Sequence, residues 1–441
     1  MHRCGGTIRT RLPRHTRGLT YPPRVLRLPS PARASIAAVL VLVITGSATP
    51  VAAVPPPWKQ DIDKAIGRRD MSVAIGFAGR WLYRREARVQ RTPASNEKLL
   101  LSMALLQRAS LTTRIRTQLF AKGRMTDGVL RGHLWIVGHG DPRVGKPTMA
   151  ALARAVHRAG IRKVLGRVMG ATTGFQRDWW APGWRDHFPR DHIALPTALT
   201  FEGNRDARGV HIRDPERRAA RSLTNRLRAL GVRVVKEAGA GARPRVLRHI
   251  VTLRSDPFQA LLRLMNRRSR NFYAEVLGKW LGRLVLGGAG SIAKGARAIE
   301  LFGRARGASI VAHDASGLSY GNRIRPQDMV ELLWFAETRP WVEELRVGLP
   351  TGGQGTLKGR LVGVRMRAKT GTLTDISTLS GWVWLTRENA WGEFSIMSRG
   401  MSKSDAVAIE DRIVRIVTNR ATLAAPGRFP SAQGESVFQG P

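Results

Sequence analysis

Cysteine is almost missing from this 441-residue chain, which has one, Cys4. A lone cysteine cannot close an internal disulfide, so the fold must stand on an apolar core, and 43% hydrophobic residues suffice for one. Acidic residues are scarce as well, 31 against 74 lysines and arginines, for a formal charge of +43. The basic residues are spread along the chain, with no basic low-complexity tail, zinc-finger spacing or aromatic RNA-reading motif, so no specific nucleic-acid partner is expected. Anionic wall polymers or a membrane surface suit such a charge better. Lysine is rare too, at 12 of the 74 basic residues. Where lysine persists, an amine that can lose its proton is a candidate requirement, because arginine stays charged.

No apolar run reaches the ~18–20 residues of a membrane-spanning helix. The run Ile36–Ile44 is preceded by eight arginines and no acid between Met1 and Arg33, and followed by Val51-Ala-Ala53. This reads as a secretory signal peptide over 1–53, cleaved near Ala53, and implies an exported protein that works in the periplasm or another extracytoplasmic space. Cleavage would remove Cys4 and lower the charge to +35. A cysteine nucleophile is thereby excluded.

Periodicity predicts a short helix over Trp58–Ile66, hairpin strands at Met71–Phe77 and Trp81–Tyr83, and a buried helix from Leu99 onward. From about 110 to 250 short strand-like runs, among them Leu134–Val137 and Val164–Val168, surround one helical stretch, Thr148–Arg158. Helices follow at Pro257–Arg267 and Phe272–Leu286, then strands at Val364–Ala368, Ser377–Leu385 and Glu393–Met397, and a helix over Ser404–Arg420. The expected class is α+β: one antiparallel sheet built from both chain ends and covered by helices, with a smaller inserted domain. The boundaries are 54–112 and 248–422 for the discontinuous main domain, 113–247 for the insert and 423–441 for a flexible tail.

Three short motifs carry chemistry. Ser95-Asn-Glu-Lys98 sets a hydroxyl and an amine on one face at the head of the buried helix, near free backbone N–H groups. The spacing alone is weak, since Ser291-Ile-Ala-Lys294 repeats it. Ser269-Arg-Asn271 lies in a polar break between two helices, and Lys369-Thr-Gly-Thr372 follows a strand, where Gly371 permits close approach to the strand edge. Two other patterns are set aside. Gly140–Pro147 nearly spells a phosphate loop, but Pro147 replaces the hydroxyl that would bind magnesium. Asp186–His192 is rich in ligand-type side chains without metal-site spacing and reads as a surface loop, so neither metal nor cofactor is expected.

In the order S-x-x-K, S-x-N, K-T-G, with Pro93-Ala-Ser-Asn-Glu-Lys-Leu99, Gly138-His-Gly-Asp-Pro142, Ser269-Arg-Asn-Phe-Tyr-Ala-Glu275, Asp314-Ala-Ser-Gly-Leu-Ser319, Gly355-Thr-Leu357 and Lys369-Thr-Gly-Thr-Leu373, the sequence resembles the class C low-molecular-mass penicillin-binding proteins. These are serine D-alanyl-D-alanine carboxypeptidases/endopeptidases. The likeness spans about 55 to 420, and the 174 residues from Ser95 to Ser269 leave room for the insertion the family carries. Arg270 stands where the family often has Asp, adding charge at the expected cleft edge. The resemblance implies Ser95 as nucleophile, Lys98 as its base and Ser269 as proton relay, with Asn271 holding the substrate amide. Lys369, Thr370 and Thr372 would receive the terminal carboxylate beside Gly371. The backbone N–H groups of Ser95 and Thr372 would form the oxyanion hole, and Lys98 would be deprotonated by burial and by the Lys369 charge. Peptidoglycan stem peptides and β-lactams are the implied ligands. A β-lactamase or esterase on the same scaffold, or a non-catalytic wall- or nucleic-acid-binding protein, are the alternative readings.

Overall fold

The computed structural model describes residues 56–420, so the leader and the tail read from the sequence lie outside the described residues. Helix α1 (Pro57–Ile66) opens on proline, whose fixed φ suits a first turn, and buries Trp58, Ile62, Ala65 and Ile66 along one face. Strands β1 (Met71–Phe77) and β2 (Arg80–Arg85) form a hairpin whose two linking residues, Ala78 and Gly79, both take positive φ. A single 3-10 turn, Ala94–Asn96, feeds α2 (Glu97–Arg108), in which every residue from Glu97 to Leu106 is buried.

The middle of the chain gives β3 (Arg114–Thr126), β4 (Val129–Gly138), α3 (Lys146–Arg158), β5 (Lys163–Val164), β6 (Val168–Ala171), α4 (Phe188–Asp191), α5 (Pro215–Ala229), β7 (Arg233–Val234), β8 (Gly239–Gly241) and β9 (Arg248–Pro257). The rest gives α6 (Phe258–Arg267), α7 (Asn271–Leu286), α8 (Ile292–Arg304), α9 (Pro326–Glu337), α10 (Val342–Gly348), β10 (Met366–Leu373), β11 (Ile376–Leu385), β12 (Ala390–Arg399) and α11 (Lys403–Arg420).

The first sheet runs β10-β11-β12-β1-β2, antiparallel throughout, and joins the two ends of the chain where Met71 faces Ser398. One face packs on α1 and α11 through residues such as Ile66, Ile75, Phe394 and Ile413. The other face packs on a helical layer centred on α2, whose five leucines are all buried against α6, α7, α8 and α9. Each such leucine contributes roughly 1.5–3 kcal/mol on burial, which fixes α2 as the axis of the domain. The second sheet runs β7-β5-β4-β3-β9, with β6 and β8 attached to β4, and draws every strand from 114–257. It mixes parallel and antiparallel pairs and is covered by α3 and α5. Arg114 pairs with Pro257, so the chain enters and leaves this sheet at one point.

Three sequence expectations change. The segment 110–250 holds a second full helix, α5, missed because its five arginines hide the buried stripe Ala219, Ala220, Leu223 and Leu227. The run Val164–Val168 is two short strands, not one: Gly166 turns the chain against Gly132, where a β-carbon would stand 2.2 Å from a carbonyl oxygen. Finally, β10 does not end before Lys369. It continues through the motif, with Lys369 opposite Ser380 and Gly371 opposite Thr378.

Candidate active site

Ser95 sits in the 3-10 turn ahead of α2, pinned against β10 and β11 from below. Asn96 Nδ2 donates to Ser380 Oγ at 2.8 Å, and Thr378 Oγ1 donates to the Pro93 carbonyl at 2.9 Å. One helical turn on, the buried Lys98 Nζ donates to Ser95 Oγ at 2.8 Å, to Asn271 Oδ1 at 2.8 Å and to the Ser316 carbonyl. Ser291 of the repeated S-x-x-K spacing is instead a helix cap, its Oγ accepting from the Lys294 amide at 3.1 Å.

Ser269 lies in the break between α6 and α7 at φ +50°, a conformation that aims its hydroxyl at β10. There Lys369 Nζ donates to Ser269 Oγ at 2.9 Å and to the Thr370 carbonyl at 2.7 Å. Thr370 Oγ1 donates to Thr356 Oγ1 at 2.7 Å. The three motifs, far apart in sequence, thus share one cleft of about 520 Å³. Ser95, Ser269, Asn271, Thr370 and Thr372 line it, Lys98 and Lys369 are buried behind it, and Gly371 abuts Ser95. Between the cleft-lining Ser269 and Asn271, the Arg270 guanidinium lies over the Tyr273 ring, 5.3 Å from the centroid.

Burial lowers the Lys98 pKa to about 8, while the carboxyls of Asp314, Glu275 and Glu97 oppose the shift. Lys369, also fully buried, is pushed well below its ordinary value by burial and then by the Lys98 charge, with no carboxyl to offset it. The expected division is therefore altered in the free cleft. Burial opposes a charge on both amines, and each disfavours a charge on the other, but only Lys98 has carboxyls behind it that favour a proton.

The acids behind Lys98 escaped the sequence reading. Glu275 Oε1 accepts the backbone N–H groups of Ala315 and Ser316 at 2.9 and 2.7 Å, and burial followed by the Asp314 charge raises its pKa to about 8. Glu97 is fully buried, neither carboxyl oxygen has a hydrogen-bond partner among the described residues, and burial holds its pKa well above the ordinary range. The position of Glu275, four residues after Asn271 and so on the same helical face, was the available signal. Also missed was the loop at Asp186–His192. Read as an ordinary surface loop, it supplies His187, Phe188 and His192 to one wall of the cleft.

The sequence model of the D-Ala-D-Ala carboxypeptidase 3 (S13) family matches residues 62–207 and 187–420. A D-alanyl-D-alanine carboxypeptidase of Actinomadura sp. (strain R39) is 25% identical over 490 residues, covering 87% of each chain. Carboxypeptidase DacB of Mycolicibacterium smegmatis is 27% identical over 385 residues, covering 78% of this chain and 80% of its own. In fold the chain is similar to penicillin binding protein 4 of Haemophilus influenzae, with a TM-score of 0.72 at 17% identity over 82% of this chain and 99% of that one.

Proposed function

The chain belongs to the D-Ala-D-Ala carboxypeptidase 3 (S13) family, and from that premise we propose that Ser95 is the serine acylated by the stem peptide, with Lys98 as its base. The protein is a serine hydrolase acting on peptidoglycan, a D-Ala-D-Ala carboxypeptidase. The observation that carries the assignment within it is the Lys98 ammonium, 2.8 Å from both Ser95 Oγ and Asn271 Oδ1 and inaccessible to solvent.

The chemistry follows from what each group can do. The terminal carboxylate docks on Lys369, Thr370 and Thr372, and this anion makes a charge on Lys369 affordable. A protonated Lys369 in turn favours the neutral form of Lys98. Ser95 Oγ attacks the carbonyl of the penultimate D-Ala as its proton passes to Lys98 Nζ, and the oxyanion is met by the backbone N–H groups of Ser95 and Thr372. Ser269 delivers its proton to the leaving D-Ala nitrogen and takes one from the protonated Lys369, which donates to it at 2.9 Å, while Asn271 holds the substrate amide. Water then hydrolyses the acyl ester on Ser95. β-Lactams enter by the same first step, opening their ring on Ser95.

We read the inserted domain as about 114–257, ten residues longer at its end than the 113–247 expected from the sequence, because β9 pairs with β3 in the second sheet and the chain enters and leaves that sheet where Arg114 meets Pro257. The enzyme acts outside the cytoplasmic membrane, reached by the leader over 1–53, and no helix among the described residues is long and apolar enough to cross a membrane. The charge of +35 left after cleavage favours electrostatic contact with anionic wall polymers.

Labelling with a fluorescent penicillin, followed by peptide mass mapping, tests the assignment. A durable adduct on Ser95 is expected. Rapid loss of label would identify a β-lactamase, and an adduct elsewhere, or none, would overturn the role of Ser95.

A further inference from the structure

Lys279 is a third fully buried lysine, and the chemistry above makes no use of it. It lies on α7 two turns beyond Asn271 and one turn beyond the buried Glu275, among Val276, Leu277 and Leu281. Its ammonium pairs with Asp178 Oδ1 at 2.6 Å and donates to the carbonyls of Gln176, Asp178 and Pro196 at 3.0, 3.0 and 2.9 Å. The other Asp178 oxygen accepts from the Ile292 amide at 2.7 Å, at the start of α8. One amine therefore gathers both ends of the excursion 177–195, which has the closed neck of an Ω-loop.

The loop is built into the cleft. Trp184, Phe188 and Ile193 form a small apolar cluster with Leu318. Trp184 Nε1 donates to Asp314 Oδ2 at 2.7 Å, and Ser319 Oγ donates to the Pro182 carbonyl at 2.6 Å. On the return limb, the His192 carbonyl accepts from Asn271 Nδ2 at 3.3 Å, beside the position assigned to the substrate amide, while Arg185, His187 and Phe188 near the tip line the cleft. Burying an ammonium costs several kcal/mol before its partners repay it, and an apolar side chain would fill the same space without that cost. What an apolar side chain cannot do is hold carbonyls from two chain segments together.

We propose that Lys279 is a positioning residue for the peptidase reaction: it clamps the neck of the 177–195 loop so that the tip forms the wall that receives the acyl side of the peptide substrate. This rests on Ser95 as the reacting serine. The lysine touches no reacting atom, and its effect passes through the loop.

The test is Lys279→Met in the full chain, which keeps the volume and removes the ammonium. Three quantities are compared with the parent: the acylation rate by benzylpenicillin, kcat and KM for a stem pentapeptide, and trypsin nicking after Arg185 and Arg190, mapped by mass. The expected result is KM raised about tenfold with kcat little changed, faster nicking within the loop, and penicillin acylation within about threefold of the parent. Parallel losses on penicillin and peptide would make the lysine a general stabiliser and overturn the proposal, as would unchanged KM and nicking. If Lys279→Met does not fold, Asp178→Asn keeps the three carbonyl acceptors and should show the same pattern at about threefold; an unchanged KM there overturns it equally. Failure to label Ser95 in the parent would strike the assigned nucleophile instead, leaving the nicking comparison to judge the clamp.

Discussion

A β-carbon on Gly371 would stand 3.0 Å from the backbone nitrogen of Ser95 and 2.8 Å from the Pro93 carbonyl oxygen. It would also meet Thr378 Oγ1 at 2.1 Å. The strand that carries Lys369-Thr-Gly-Thr372 and the turn that carries Ser95 are thus in contact through a position with no side chain. Gly371→Ala is expected to push the Ser95 turn off β10, lowering penicillin acylation by about 10²-fold, at a stability cost of about 1–3 kcal/mol. Stopped-flow acylation and urea melts on the same protein check both figures.

The two active-site lysines should respond differently to arginine. Lys98→Arg removes the only assigned base and is expected to cut acylation by about 10³-fold or more. Lys369→Arg keeps a cation for the carboxylate and should lose less, with part of the loss in substrate binding. The check is the second-order acylation rate of each variant, after circular dichroism has established folding.

Acylation should follow the ionisation of Lys98. Its pKa is lowered to about 8, so the neutral, proton-accepting form grows as pH rises through that value. The second-order rate should climb between about pH 7 and 9 and then level off. A profile flat across this range would remove Lys98 as the base.

Glu275 offers a separate handle on the same lysine. Once ionised above its own pKa of about 8, Glu275 raises the Lys98 pKa, so Glu275→Gln, which keeps an acceptor for the Ala315 and Ser316 amides, should move the upper part of the rising limb to lower pH and change the rate below pH 7 little. The folded Glu275 carboxyl has its pKa raised from 4.5 to about 8, so it binds a proton more tightly folded than unfolded. Its contribution to stability is present in full below pH 4.5 and is lost as pH rises through 8; Glu275→Gln should reduce that loss. Glu275→Ala orphans two buried N–H groups, at about 1–3 kcal/mol each, and should behave far worse than Glu275→Gln in thermal melts.

The motif residues were legible because their chemistry restricts residue type: an amine cannot be replaced by a guanidinium, or Gly371 by anything bulkier. The antiparallel sheet was legible from strand-like runs at both ends of the chain, Met71–Phe77 and Trp81–Tyr83 near the start, Ser377–Leu385 and Glu393–Met397 near the end. Where the sequence misled, tertiary context had overridden local pattern. The buried face of α5 sets Ala219, Ala220, Leu223 and Leu227 among arginines, and on α7 the apolar Leu284 is half exposed while Glu275 and Lys279 are buried. A charged residue in such a stripe reads as solvated unless its partners are known, and the partners of Lys279 lie about 80 to 100 residues away. Nothing local in Asp186–His192 says that it lines the same cleft as Ser95.

The pairing of β1 with β12 also sets a timetable for the molecule. A ribosome delivers Met71 and Ser95 early, but the strand that Met71 must pair with ends at Arg399, and Lys369 is made only shortly before it. Closing a loop of more than 300 residues is slow, since its entropy must be met before any contact across it forms. Chains cut short before β12 therefore carry Ser95 and Lys369 without the strand that joins β1 to β11, and chains cut before β10 lack Lys369 and Thr372 as well. Reactivity toward β-lactams arrives with the last strands of the fold, so time-resolved penicillin labelling during refolding would report the completion of the main sheet.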